Sequence, residues 1–281
     1  ALRGSAIGAR FPLLLKLIDA REALSVQVHP DDAYASSQEQ GKWGKTEAWV
    51  ILSAQPGAQL VYGITPGTDR DTLAKAAAQG VVLEEYLRHV YVQSGDVLYI
   101  PAGMVHAIGK GILLYEIQQS SDVTYRLWDW NRRDAKGNMR VLHLRQALDV
   151  ARPGLWREAL PGVTIPCDGG SRTIYIADRN FALERLTVHG SMPQKPDGSR
   201  FYFLTALGSG SLQWTGGTLA FATGDTIFVP ATSPAFEIVA DCDMLSAYVP
   251  DQAQLRALVG PMKAKEVAGL CEGCAFPSTA G

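Results

Sequence analysis

Gly95-Asp96-Val97-Leu98-Tyr99-Ile100-Pro101 and Gly224-Asp225-Thr226-Ile227-Phe228-Val229-Pro230 are two copies of one phrase. Each opens with a Gly-Asp turn, runs through an apolar strand and stops at a proline, which has no N–H to extend a ladder. Around the first copy lie short strand-like runs at 13–19, 24–29, 47–53, 58–63, 96–100, 112–119 and 123–129. Around the second lie 172–177, 181–188, 201–207, 218–221, 226–229, 235–239 and 243–249, with turn residues between them. A repeated unit inside two blocks of short strands predicts a mainly all-β chain folded as two tandem jelly-roll β-barrels with a few short helices. Pro153-Gly154 puts the boundary near 150–165. Helical spacing is limited to Asp71–Arg88, divided by Gly80, to His143–Ala151 and to Asp251–Leu258.

Composition narrows the function classes. The chain has 281 residues, 47% hydrophobic and 19% charged, enough to bury a sizeable core. Its 26 basic and 28 acidic residues leave a formal charge of −2, so neither nucleic acid nor an anionic membrane is an expected partner. The run Phe11–Ile18 is interrupted by Lys16 and falls far short of the ~20 residues of a membrane span. It also lacks the layout of a secretory signal, and the start at Ala1 is read as processed or trimmed. Four cysteines are too few for a disulfide scaffold, which points to the cytoplasm. Cys271 and Cys274 have no second pair and read as incidental tail cysteines.

Three segments suggest a metal. In Leu24-Ser25-Val26-Gln27-Val28-His29, apolar and polar residues alternate, so Ser25, Gln27 and His29 share one strand face. Taken alone, that face would lie in water. Pro101-Ala102-Gly103 forces a turn after the first repeat, and His106 then begins the next strand pointing inward. This Gly…Pro…Gly…His spacing resembles the second motif of the cupin superfamily. In Gly44-Lys45-Thr46-Glu47-Ala48-Trp49, an extended chain puts Lys45, Glu47 and Trp49 on one face. Two imidazoles, one carboxylate and one amide oxygen suit one divalent ion per chain, Zn2+ above all; iron, manganese or cobalt would also be tolerated. Further on, Glu116 and Arg126 lie on two adjacent strands and are expected to face the barrel interior. Either they form a buried ion pair, or Arg126 is an anion-stabilising group and Glu116 an acid or base. His89, His143 and His189 read as surface or packing histidines.

In this order the segments resemble the type I mannose-6-phosphate isomerase (phosphomannose isomerase) family in its short bacterial form. The carrying residues are Ser25-Val26-Gln27-Val28-His29-Pro30, Gly44-Lys45-Thr46-Glu47, Pro101-Ala102-Gly103-Met104-Val105-His106-Ala107 and Ser121-Asp122-Val123-Thr124-Tyr125-Arg126. Trp128-Asp129-Trp130-Asn131-Arg132 and Leu142-His143-Leu144 match as well. The likeness is strong over roughly 10–150 and architectural beyond 160. It implies a zinc site at Gln27, His29, Glu47 and His106, and a catalytic arginine at Arg126. It also puts Lys45, Glu116, Ser25 and Arg132 at or near the sugar-phosphate pocket. Residues 1–150 would be the metal-binding catalytic cupin domain, and 151–281 a degenerate, metal-free cupin domain with a tail, since Thr232 and Ala235 stand where the Gly and His would be. The family's N-terminal Trp-Gly motif has no counterpart before Phe11. The expected reaction interconverts mannose 6-phosphate and fructose 6-phosphate through a cis-enediol, in a monomer or homodimer. Rival readings are a metal cupin enzyme on another substrate, an iron dioxygenase among them, and a non-catalytic sugar-binding or regulatory cupin.

Overall fold

The computed structural model describes residues 10–251. The expected helix at 251–258 and the Cys271/Cys274 pair lie outside the described residues. Two compact units form, one of Leu14–Ala159 and one of the described residues from Leu160 onward with those up to Leu13.

The N-terminal unit contains β1 (Leu13–Ala20), β2 (Val26–Val28), β3 (Glu47–Ala54), β4 (Gln59–Ile64), β5 (Leu87–Tyr91), β6 (Val97–Ile100), β7 (His106–Ala107), β8 (Ile112–Gln119) and β9 (Tyr125–Trp128). Its helices are α1 (Asp32–Gln38), α2 (Arg70–Gln79) and α3 (Leu144–Val150), with a 3-10 segment at Val81–Tyr86. One sheet has the order β1-β8-β3-β6 and the other β5-β4-β7-β2-β9. Trp49, Ile51, Leu98, Ile100, Ile112 and Leu114 of the first sheet pack with Leu60 and Tyr62 of the second, filling the space between them. The buried Tyr62 hydroxyl donates to Tyr99 O at 2.7 Å, which removes the cost of an unmet donor in that layer.

A second apolar layer covers the outer face of the five-stranded sheet. Val26, Val28, Val61, Ala107 and Leu127 meet Leu73 and Ala76 of α2, Leu83, and Ala147 and Val150 of α3. This layer decides the direction of β2. Val26 and Val28 face the helices, so the alternate residues are turned to the interior between the sheets. Burying each such aliphatic side chain contributes about 1.5–3 kcal/mol, so a one-residue slip of β2 would be costly. The polar face of β2 is therefore the inner one, contrary to its reading in isolation.

The C-terminal unit contains β10 (Val163–Cys167), β11 (Gly170–Ala177), β12 (Ala182–Gln194), β13 (Tyr202–Ala206), β14 (Gly210–Trp214), β15 (Gly217–Phe221), β16 (Thr226–Val229) and β17 (Phe236–Tyr248). They follow the path β10-β11-β12-β17-β13-β16, and β14 joins β15 to β17. The first part of β17 pairs with β14 and the last part with β13, while β12 runs beside its whole length. The fold is mainly β, as expected, in two strand-rich units. In neither does a ladder join the outermost strands among the described residues.

Several elements differ from their sequence reading. The expected helix at 71–88 breaks at Gly80 (φ 69°), and its end becomes β5, held extended by pairing with β4. Asp31 caps α1 by accepting from Tyr34 N at 2.9 Å, a start signal hidden among polar residues. The runs at 235–239 and 243–249 form one strand, because continuous pairing with β12 carries the chain through Ala240-Asp241-Cys242. No helix among the described residues is long and apolar enough to cross a membrane.

Candidate metal centre and active site

The ladder register assembles the site. Tyr62 pairs with His106, His106 with Gln27, and Gln27 with Arg126, a row across β4, β7, β2 and β9. Directly paired residues share a face, so Gln27, His106 and Arg126 belong to one surface. On the other sheet, Glu47 pairs with Gln118 and Trp49 with Glu116. Main-chain bonds tie the contributing segments together. Gly103 N donates to His29 O at 2.8 Å, and Lys45 N to Pro30 O at 3.0 Å. Gly103 has φ +89°, which glycine alone adopts cheaply, and this turn leads the chain to His106. Gly44 packs so closely that a Cβ would fall 2.5 Å from Asp31 C, so only glycine brings the Lys45–Glu47 segment against this loop.

His29, Glu47 and His106 converge, with their ligating atoms all within 4.8 Å of one another. Glu47 and His106 are fully buried, and His29 is 1% exposed. His29 Nδ1 lies 3.0 Å from Val123 O, and His106 Nδ1 lies 2.9 Å from Met104 O. A carbonyl only accepts, so each Nδ1 carries the proton and each Nε2 presents a bare lone pair. Those Nε2 atoms lie 3.3 and 3.7 Å from the Glu47 carboxylate. The Gln27 side-chain amide is 3.4 Å from His106 Nε2, and a half-turn of that amide would present its oxygen to the same point.

The charges agree with a ligand set. Burial, with the neighbouring Lys45, lowers His29, and burial, with His29 beside it, lowers His106 to about 3, so both imidazoles are neutral. Burial alone would push the Glu47 carboxyl up, but its charged surroundings, the Lys45 ammonium first among them, hold it well below the usual range. Two neutral imidazoles and one carboxylate are the protonation states that metal binding requires. Both Glu47 oxygens are buried without a well-formed hydrogen bond, although Lys45 Nζ lies 2.6 Å from Oε1. Buried acceptors converging with two lone pairs fit a divalent cation.

The remaining expected residues divide. Lys45 is buried at the cluster, its ammonium 3.3 Å from His29 Nε2. Glu116 is buried and accepts from Trp49 Nε1 at 3.2 Å. Its partner is Lys16, at 2.5 Å, and not Arg126, so a Glu116–Arg126 ion pair does not form. Burial and the nearby Glu47 raise the Glu116 carboxyl despite Lys45 and Lys16. Arg126 instead donates from Nη1 to Val141 O at 2.8 Å, and its buried Nε has no hydrogen-bond partner among the described residues. His143 packs against its main chain, Nδ1 accepting from Arg126 N at 3.2 Å. Ser25 is buried at the entrance to β2. Arg132 is committed elsewhere, donating to Ala23 O at 2.6 Å and to the Asp129 carboxylate at 2.5 Å. With Trp130 Nε1 donating to Leu24 O at 2.7 Å, it clamps the chain just ahead of β2. Trp130 and Asn131 both have positive φ there, a conformation a bulky residue keeps only when its surroundings hold it.

Lys16 is the site residue that sequence reasoning missed. It reaches both Glu116 and Gln118 at 2.5 Å. A signal existed, since it is the lone charge inside the apolar run Leu13–Ile18.

The comparisons with known proteins agree with this geometry. The family model for the catalytic domain of type I phosphomannose isomerase matches residues 2–47. Mannose-6-phosphate isomerase of Streptococcus mutans is 35% identical over 249 residues, covering 88% of this chain and 77% of that protein. Mannose-6-phosphate isomerase ManA of Bacillus subtilis is 50% identical over 149 residues, which is 53% of this chain and 47% of that protein. The crystal structure of a mannose 6-phosphate isomerase from Bacillus subtilis matches with a TM-score of 0.80 at 33% identity, over 85% of this chain and 76% of that one. A phosphomannose isomerase from Salmonella typhimurium shares the fold at 14% identity and a TM-score of 0.69, over 89% of this chain and 83% of that one. The extent of these matches and the buried His29–Glu47–His106 cluster lead to one conclusion: the chain belongs to the type I mannose-6-phosphate isomerase family.

Proposed function

We propose that this chain is a metal-dependent aldose–ketose isomerase that interconverts mannose 6-phosphate and fructose 6-phosphate through a cis-enediol. The observation that carries the reading is the convergence of two neutral imidazole Nε2 atoms and the Glu47 carboxylate beside the buried Glu116, which is paired with the half-exposed Lys16. His29, Glu47 and His106, with Gln27 as the fourth ligand, would hold one Zn2+ in the unit spanning 14–159, which we take as the catalytic one. The ion would supply a fixed positive charge that polarises the substrate's oxygens.

The chain's own groups divide the remaining work. Glu116 takes the proton from C2 of the aldose, and the electron pair of that C–H bond becomes the enediol double bond as the carbonyl π pair moves to O1, which takes a proton from solvent. The same carboxyl returns its proton to C1, and the O2 proton returns to solvent to complete the ketose carbonyl. Lys16 beside Glu116 favours its ionised form, which burial would otherwise disfavour. Arg126, on the row of Gln27, supplies positive charge to the developing oxyanion. Lys45 balances Glu47, and its burial turns it toward the cluster. Ser25 lines the approach to the pocket, and Arg132 supports that approach by holding the 23–24 segment.

Metal analysis with a coupled isomerase assay tests the reading. Chelation abolishes conversion, and zinc restores it. Full turnover in metal-free protein overturns the metal role, and metal binding with no conversion of mannose 6-phosphate overturns the substrate.

A further inference from the structure

The C-terminal unit contains a cavity of about 180 Å3 that the isomerase reading leaves unused. One water needs only about 10–15 Å3, so the space admits a small ligand. Its walls include Arg172, Glu184, Lys195, Arg200, Ser246 and Tyr248.

The ladders explain why polar groups occur here. Glu184 pairs with Ser246, and two residues further along Leu186 pairs with Met244. Leu186 and Met244 belong to the apolar core, so Glu184 and Ser246 stand on the same inward face at its polar end. Glu184 is 1% exposed. A carboxylate so buried persists only if it is compensated. The Tyr248 hydroxyl donates a short hydrogen bond to it, and Arg172 Nε lies 3.2 Å from its second oxygen. That leaves the two terminal amino groups of Arg172 without another carboxylate among the described residues. Asp197 at the rim accepts from Ser199 N and Oγ within its own loop. The cations at the walls thus exceed the carboxylates by one. Arg200 lies over the Tyr248 ring at 4.4 Å, and Lys195 has no carboxylate partner among the described residues. The side chains of Ser246, Gln194 and Tyr202, also at the cavity, make no hydrogen bond among the described residues.

We propose that this cavity binds a small hydroxylated anion, a short polyol bearing a single phosphate or carboxylate. Lys195 and Arg200 meet the anionic group, while Ser246 and the Arg172–Glu184 pair take the hydroxyls. Excess positive charge at the rim and unused hydrogen-bonding groups inside select for this chemistry. The site stands on residues 172–248 alone and does not depend on the reaction proposed above.

Calorimetric titration of the full chain with glycerol 3-phosphate, with glycerate and with neutral glycerol tests it. Wild type is expected to bind one equivalent of glycerol 3-phosphate or glycerate that Lys195→Glu and Arg200→Ala weaken about tenfold or more. Neither substitution should change the isomerase KM. Comparing the two anions identifies the headgroup, and Ser246→Ala checks the hydroxyl contact without touching the rim charge. Crystals soaked in selenate should show an anomalous peak within hydrogen-bonding distance of Lys195 or Arg200. Binding that is unchanged in both charge variants, equal binding of neutral glycerol, or no peak at this cavity would each overturn the proposal.

Discussion

Replacing Glu47 by Gln keeps the size of the side chain and removes the charge at the middle of the metal cluster. The buried Lys45 ammonium rests 2.6 Å from that carboxylate. At this separation, with an effective dielectric of 20, Coulomb attraction is about 6 kcal/mol. Desolvation of both ions offsets part of it, and removing one partner of a buried pair costs about 3–5 kcal/mol. The chelated Glu47→Gln variant is expected to lose that much from its N-terminal unit. The double variant Lys45→Met/Glu47→Gln should recover most of the loss, because no uncompensated ion remains. Metal adds a second contrast. At a concentration a hundredfold above its Kd, a ligand stabilises by about 2.7 kcal/mol, and the variant without the carboxylate should gain far less. Hydrogen exchange at β3 and β8, with chelator and then with zinc, measures both quantities. A single melting transition would not, because the chain forms two units. The reasoning fails if chelated Glu47→Gln stays within about 1 kcal/mol of wild type, the range of an exposed pair. It fails equally if zinc protects both proteins to the same extent.

Three further outcomes are expected. His29→Ala and His106→Ala should each lose bound metal by elemental analysis while keeping the wild-type circular dichroism spectrum; either variant retaining one tightly held ion removes that residue from the ligand set. Arg126→Ala should keep its metal and lose about 10²–10³ in kcat, the range seen when one oxyanion donor is removed; unchanged turnover would leave Arg126 only its bond to Val141. Burial first, and Glu47 second, raise the Glu116 carboxyl, so its basic form disappears as pH falls through a value above the ordinary ~4.3 of a glutamate. The acid limb of kcat/KM should therefore lie above that value and vanish with the residual activity of Glu116→Gln, and a limb that persists unchanged would assign the base elsewhere.

Much of the architecture was legible in order along the chain. The Gly-Asp…Pro phrase marked β6 and β16, and alternation placed Gln27 and His29 on one side of β2. His106 followed from a turn whose glycine must take positive φ. These features are local, set by proline's missing N–H, glycine's freedom and the period of a strand. Sequence could not show which side of β2 meets water, because the answer lies in Leu73, Ala76, Ala147 and Val150, helical residues far along the chain that cover Val26 and Val28. It could not pair Glu116 with Lys16 either, since about a hundred residues separate them and ladder register brings them together. The imidazole tautomers depend on the carbonyls of Val123 and Met104, which strand periodicity does not report. By itself the sequence determined the strands, the repeat and the residue types able to hold a metal. Only the tertiary structure decided which faces turn inward and which charges meet, because burial and ion pairing depend on packing between segments distant along the chain.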